Sequence, residues 1–162
     1  MKKILLILFV IILTGFFSGC IVKEKTFSHR GLSVTLKSDF KEYDHKEWEL
    51  YLYNDQQVAF MMNKISKKSS LEGLKLSELS LSQYMSLYTY LYDVKDRKSY
   101  KVEAVNVTFE YCYFTSGEQY GYMFIVLEDE DYFYNINLST PYETFENSKE
   151  MLFEYAITLK LE

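Results

Sequence analysis

Residues 102–138 read VEAVNVTFEYCYFTSGEQYGYMFIVLEDEDYFYNINL, and the fold is decided there. Val105, Val107, Phe109, Tyr111 and Tyr113 fall at every second position, the period of a strand that buries one face. Ser116-Gly117-Glu118 supplies a turn, and Gln119 to Leu127 is mostly apolar on both faces, as a central strand is. Glu128-Asp129-Glu130-Asp131 turns the chain again before a further strand, Tyr132 to Leu138. Strands over 102–114, 119–127 and 132–138, joined by connections this short, pair as an antiparallel meander.

Working outward, the period changes from two to about 3.6 on both sides. Downstream, Thr140-Pro141-Tyr142-Glu143 reads as a helix start, with Thr140 as cap, Pro141 in the first helical position and Glu143 completing a capping box. Tyr142, Phe145, Leu152 and Ala156 then line the expected buried side, and Glu146, Glu150 and Glu154 form an exposed row. This helix runs to about 155, followed by a short tail over 157–161. Upstream, Ser80 with Gln83 three residues later has the reciprocal capping spacing. Leu81, Tyr84, Met85, Tyr88, Leu91 and Tyr92 follow as one stripe of a helix over 81–92. Further upstream, Trp48, Leu50 and Leu52 alternate inward, Asn54-Asp55 turns, and Val58 to Ile65 returns as the second arm of a hairpin. Leu32, Val34 and Leu36 alternate in an earlier strand. The pattern predicts one α+β domain: an antiparallel β-sheet of about five to six strands with two main helices packed on it.

The first twenty residues are of another kind. Met1-Lys2-Lys3 is basic, Ile4 to Leu13 is an unbroken apolar run, and Thr14 to Cys20 brings in small residues, the layout of a secretory signal. The uncharged stretch over 4–22 is also long enough for a retained membrane helix, the alternative reading. Gly15, Ser18 and Gly19 lower helix propensity where a span should continue. Phe17-Ser18-Gly19-Cys20 resembles the bacterial lipobox. That resemblance implies diacylglycerol on the Cys20 sulfur and cleavage just before it. It divides the chain into a lipoprotein signal peptide (1–19), a lipidated cysteine with a short tether (20–28) and a single domain (29–162). The expected location is the extracytoplasmic side of a cell membrane, held by lipid on Cys20.

Cleavage before Cys20 leaves 143 residues, with 16 basic and 23 acidic side chains and a net charge of −7. That length builds a real core without staples. The balance argues against nucleic acid, which needs a basic footprint, and against a polybasic grip on anionic lipid. The mature part keeps only Cys20 and Cys112, so acylation of Cys20 excludes a disulfide framework. Cys112 sits in a strand-like run, where a thiol behaves as a small hydrophobe. The two histidines, His29 and His45, have no metal-ligand spacing. Glu128 to Asp131 lacks the calcium-loop spacing and reads as a solvated hairpin tip. No catalytic signature is present, so a non-enzyme without metal or cofactor is expected.

The order of elements carries a second resemblance. The segment Phe27-x-x-x-Gly31-Leu32-Ser33-Val34-Thr35-Leu36-x-x-Asp39-Phe40 leads into a hairpin. A helix introduced by Leu79-Ser80-Leu81-Ser82-Gln83-Tyr84, a three-strand meander and a last amphipathic helix with Phe145 and Phe153 follow. This is similar to the PsbP-like fold, in particular the DcrB-like bacterial lipoproteins, over nearly the whole mature chain. The resemblance implies an antiparallel sheet with helices on its faces and a binding, accessory or assembly role without a catalytic site. It carries over no site residues.

What stands out in composition is 16 Tyr and 12 Phe. Tyr51, Tyr53, Tyr120, Tyr122, Tyr132 and Tyr134 fall opposite the core set or on central strands. They are the candidate interaction face for an envelope protein, a peptide or a glycan, since a tyrosine ring buries area while its hydroxyl finds a partner. The competing reading is that helices cover both faces of the sheet. Three functions stay open: a lipid-anchored binding or accessory domain, a structural envelope lipoprotein, and a small carboxylate-dependent hydrolase.

Overall fold

A computed structural model describes residues 23–94, 98–104 and 107–162. The leader over 1–19, Cys20 and Val105 lie outside the described residues. The chain begins with strands β1 (Glu24–His29) and β2 (Leu32–Lys37). They are joined by Arg30 and Gly31 at φ of 47° and 90°, the doubly left-handed pair that a two-residue hairpin of this twist requires. Glu24–His29, read from the sequence as mostly tether, is therefore part of the folded domain. Only Phe27 of its six residues is buried, so it lacks the alternation that marks a strand. Leu32, Val34 and Leu36 are each 1% exposed.

Next come β3 (Lys41–Glu42), β4 (Leu50–Tyr53) and β5 (Ala59–Ser66), then the small hairpin β6 (Ser70–Leu71) and β7 (Leu74–Lys75) and a 3₁₀ turn over Leu76–Glu78. Trp48, expected at the head of the inward row, lies outside β4 and is half-buried. Helix α1 (Leu81–Leu91) follows with the predicted capping box: the Ser80 hydroxyl accepts from the Gln83 amide, and Gln83 Oε1 accepts from the Ser80 amide at 2.9 Å. Its stripe is buried at Leu81, Tyr84 and Met85. At the far end the stripe emerges into solvent, with Leu91 37% and Tyr92 64% exposed.

The expected long strand over 102–114 is two strands, β8 (Tyr100–Glu103) and β9 (Thr108–Ser116). They pair antiparallel with Val102 opposite Phe109, and the Ala104 amide donates to the Val107 carbonyl at 3.0 Å. The meander continues through β10 (Tyr120–Glu128) and β11 (Tyr132–Pro141) as predicted.

Helix α2 (Tyr142–Ala156) starts differently from the expectation. Strand β11 runs on through Thr140 and Pro141, which pair with Gly121 and Tyr120. Thr140 is thus held in the ladder, and its Oγ1 is buried without a hydrogen-bond partner. Pro141 takes the cap position with no side-chain bond to the helix. Phe145, Leu152 and Ala156 are buried as expected, joined by Tyr155, but Tyr142 is 46% exposed. The tail forms β12 (Lys160–Leu161) on the outer edge of β2.

The strands make a seven-stranded sheet in the order β3-β4-β5-β11-β10-β9-β8, a three-stranded sheet β1-β2-β12 and the β6-β7 pair. The count exceeds the five to six expected, because β1, β3, β6, β7, β8 and β12 are short or polar. One face of the large sheet, carrying Leu52, Phe60, Met62, Met123, Ile125, Ile136 and Leu138, packs against Leu32, Val34 and Leu36 of the small sheet and the buried side of α2. Each such side chain contributes about 1.5–3 kcal/mol on leaving water. Gly121 is required on this face, because a Cβ there would lie 2.0 Å from Cγ of Phe145.

Candidate functional site

Paired residues in a ladder share a face, so the register fixes what the other side of the large sheet carries. One row across it is Tyr51, Met61, Asn137, Phe124 and Cys112. The next is Tyr53, Ala59, Ser139, Tyr122 and Phe114. Helix α1 packs Leu81, Tyr84 and Met85 over Cys112, Phe124, Val126 and Phe133. Tyr88 carries α1 on over Phe124 and Asn137, and the β4 side is left to its own tyrosines.

These tyrosines form the candidate surface. The Tyr51 and Tyr53 rings stack at 6.5 Å with 9° between planes, and Tyr43 and His45 meet Tyr51 at 6.5 and 5.1 Å. Across a floor of Ala59, Met61, Asn137 and Ser139, Tyr122 stacks on Phe114 at 5.0 Å and meets Tyr120 at 6.4 Å. Tyr43 and Tyr120 are 48% and 44% exposed, while Tyr51, Tyr53 and Tyr122 are half-buried. Burial raises the phenol pKa of Tyr51, with the neighbouring hydroxyls of Tyr53, Tyr120 and Tyr43 adding to it. Tyr122 is raised by burial and by Tyr120. The surface is therefore a ring-rich face on which the Tyr51 and Tyr122 phenols are held protonated, suited to flat contact.

Four of the six tyrosines read from the sequence, Tyr51, Tyr53, Tyr120 and Tyr122, are brought together here. Tyr132 and Tyr134 are not. Tyr134 pairs with Lys64 and Leu127, which places it on the closed face, where it is 1% exposed and donates to Asp129 Oδ2 at 2.7 Å. Lys64 lies 4.0 Å from the Tyr132 ring centroid. Spacing alone could not tell the faces apart, because the two strands were counted from independent starting points. Tyr43, His45 and Phe114 were missed. Tyr43 follows the two-residue strand β3, too short to show any period.

The hairpin tip at 128–131 is a hydrogen-bonded turn. Asp129 Oδ1 accepts from the amides of Asp131 and Tyr132 at 2.8 and 2.7 Å, and Lys67 Nζ reaches Glu128 at 2.6 Å. Burial works against the Asp129 carboxylate, but the Tyr134 hydroxyl, these amides and the Lys64 charge outweigh it and lower its pKa. Glu110, 4% exposed, is a buried carboxylate, and it accepts from Ser82 in the first turn of α1. The positive end of a helix suits a carboxylate there. Glu110 and Glu128 line one cleft of about 320 Å³ with Ser82 and Lys101, but the Ser82 contact and the Lys67 ion pair occupy them. A second cleft of about 430 Å³ lies between α1 and the β6-β7 hairpin. Its floor holds Asn135, which donates to the Tyr84 hydroxyl at 2.9 Å. Cys112 is fully buried under α1. Among the described residues no cluster of three or more His, Cys, Asp or Glu could hold a metal ion, and no helix is long and apolar enough to cross a membrane.

The sheet order, the two packed helices and the meander define a PsbP-like α+β fold. The solution structure of cyanobacterial PsbP (CyanoP) from Synechocystis superposes with a TM-score of 0.61 at 10% identity, covering 90% of this chain and 96% of that one. A crystal structure from Bacteroides thetaiotaomicron gives 0.55 at 14% identity over 85% of this chain. The chain spans about half the length of that protein, 48%. No sequence family and no curated protein matches the chain.

Proposed function

We propose that this protein is a lipid-anchored, non-catalytic binding or accessory domain on the extracytoplasmic side of a cell membrane. Lipid on Cys20 holds it, and the tyrosine surface makes the functional contact with an envelope protein or peptide. The observation that carries this reading is the clustering of Tyr43, Tyr51, Tyr53, Tyr120 and Tyr122 on a sheet side that α1 covers only in part. Rings of this kind supply rigid contact area at low entropic cost. The PsbP-like fold supports an accessory role by analogy of shape.

The test uses the full chain in its own cells. Palmitate labelling and sedimentation with membranes should be lost in Cys20→Ala. A photoreactive residue at Tyr43 should give a discrete crosslinked product, and the double variant Tyr51→Ala, Tyr122→Ala should remove that product while keeping the label. An undiminished product from the double variant would rule the surface out. Persistent labelling of Cys20→Ala would rule out the anchor.

A further inference from the structure

The two ends of the domain differ in chemistry, and the chain enters at one of them. Strands β5 and β11 place Ala59 and Ser139 at the same end as Tyr53 and Tyr122. Lys41 pairs with Tyr53, and Asn54 Nδ2 donates to Asp39 at 3.4 Å. The Ser38 amide donates to the Lys23 carbonyl at 2.8 Å, so the first described residue lies at this end too. Tyr120 pairs with Pro141, and the Tyr142 amide donates to the Gln119 carbonyl at 3.0 Å. Tyr92 lines a cleft with Ser116 and Gly117 of the neighbouring turn. Tyr120, Tyr142 and Tyr92 are 44%, 46% and 64% exposed. The opposite end is built from charges: Arg30 with Glu49, Lys67 with Glu128 and Lys68 with Asp131.

Resting on the anchoring reading above, we propose that the end bearing Tyr53, Tyr92, Tyr120 and Tyr142 lies in the headgroup layer of the membrane that holds Cys20. Cys20 precedes Lys23 by three residues, which span at most about 10–11 Å fully extended. The headgroup layer is itself about 5–8 Å thick on each side. A domain held that closely must press the end where its tether leaves against the lipid. The charged end is about 27 Å away along β10, at about 3.4 Å per residue. Tyrosine is a residue of the membrane–water boundary, with its ring among the upper chains and its hydroxyl in water. Exposed charges at this end are of both signs, Lys23, Lys41 and Lys98 against Glu24, Asp55, Asp93, Glu118, Glu143 and Glu146, with the acidic ones in excess. The contact therefore works on neutral lipid and needs no anionic surface.

The acylated full chain, reconstituted in phosphatidylcholine vesicles whose acyl chains carry bromine, tests this. Trp48→Phe removes the native indole, and Tyr120→Trp or Tyr142→Trp places one at the proposed end. Glu130→Trp places one at the charged end. The acyl mass on the Cys20 peptide is read in the same preparations. Quenching of the Tyr120→Trp and Tyr142→Trp emission with none for Glu130→Trp is the expected result. With Cys20 acylated, equal quenching at both ends, or none at either, overturns the inference and leaves the anchoring reading standing. An unacylated Cys20 removes the anchoring reading, and this inference with it.

Discussion

The two faces of the seven-stranded sheet are made by the same strands and differ in what the alternate positions carry. The closed face holds Leu52, Phe60, Ile125, Ile136 and Leu138 beneath a second sheet and α2, and its buried Tyr134 passes its hydroxyl to Asp129 in the hairpin tip. The other face holds Tyr51, Tyr53 and Tyr122 around Ala59, Met61, Asn137 and Ser139, and only part of it lies under α1. Both faces carry tyrosine and phenylalanine, and they differ in how far a second layer closes over them.

The largest effect should separate the faces outright. Phe60→Ala removes a fully buried ring from the closed side and should cost about 3–5 kcal/mol in denaturant unfolding. Tyr51→Ala should cost distinctly less, and equal losses would break the comparison.

High pH offers a second route. On the closed face, burial and the Tyr111 and Tyr100 hydroxyls push the Tyr113 phenol up to about 12. Burial and the charges of Asp39, Glu154 and Glu24 do the same for Tyr155, also to about 12. Their folded pKa values lie above the unfolded value of about 10. The stability they confer is therefore fully present below pH about 10 and lost as pH rises through their folded values. Loss of circular dichroism should accompany tyrosinate absorbance in that window. Complete ionisation of every tyrosine with the fold intact would contradict it.

The smallest effect has the opposite sign. Thr140 is 1% exposed on the closed face with its hydroxyl unmet, so Thr140→Val should leave the thermal midpoint unchanged or raise it slightly. A clear fall would reveal a hydroxyl contact on a face that should need none.

Much of this was legible in the chain. The capping box at Ser80 and Gln83 fixed a helix start because its bonds are local, and the β9-β10-β11 meander followed from short turns. What failed was settled by distant contacts. The β8-β9 reversal has neither glycine nor proline among residues 104–107, and valines on both sides of it keep the alternation going. Thr140 has every local mark of a cap, but its ladder to Gly121 wins. Tyr142 sits where a helix should turn inward and instead faces water. For the tyrosine surface, residue type was readable and membership was not. Strand parity groups residues within one strand, and only the register between strands shows that Tyr51 and Tyr122 share a side while Tyr134 does not.

The pairing of β12 with β2 has a kinetic consequence. The Thr35 amide donates to Thr158 Oγ1 at 3.0 Å across 123 residues of sequence, and Ser28 donates to Glu162 across 134. Loop closure on this scale must precede any reward from the contact, which slows folding. The small sheet therefore lacks the partner on the outer edge of β2 until residues 158–161 fold back onto it, and it closes late.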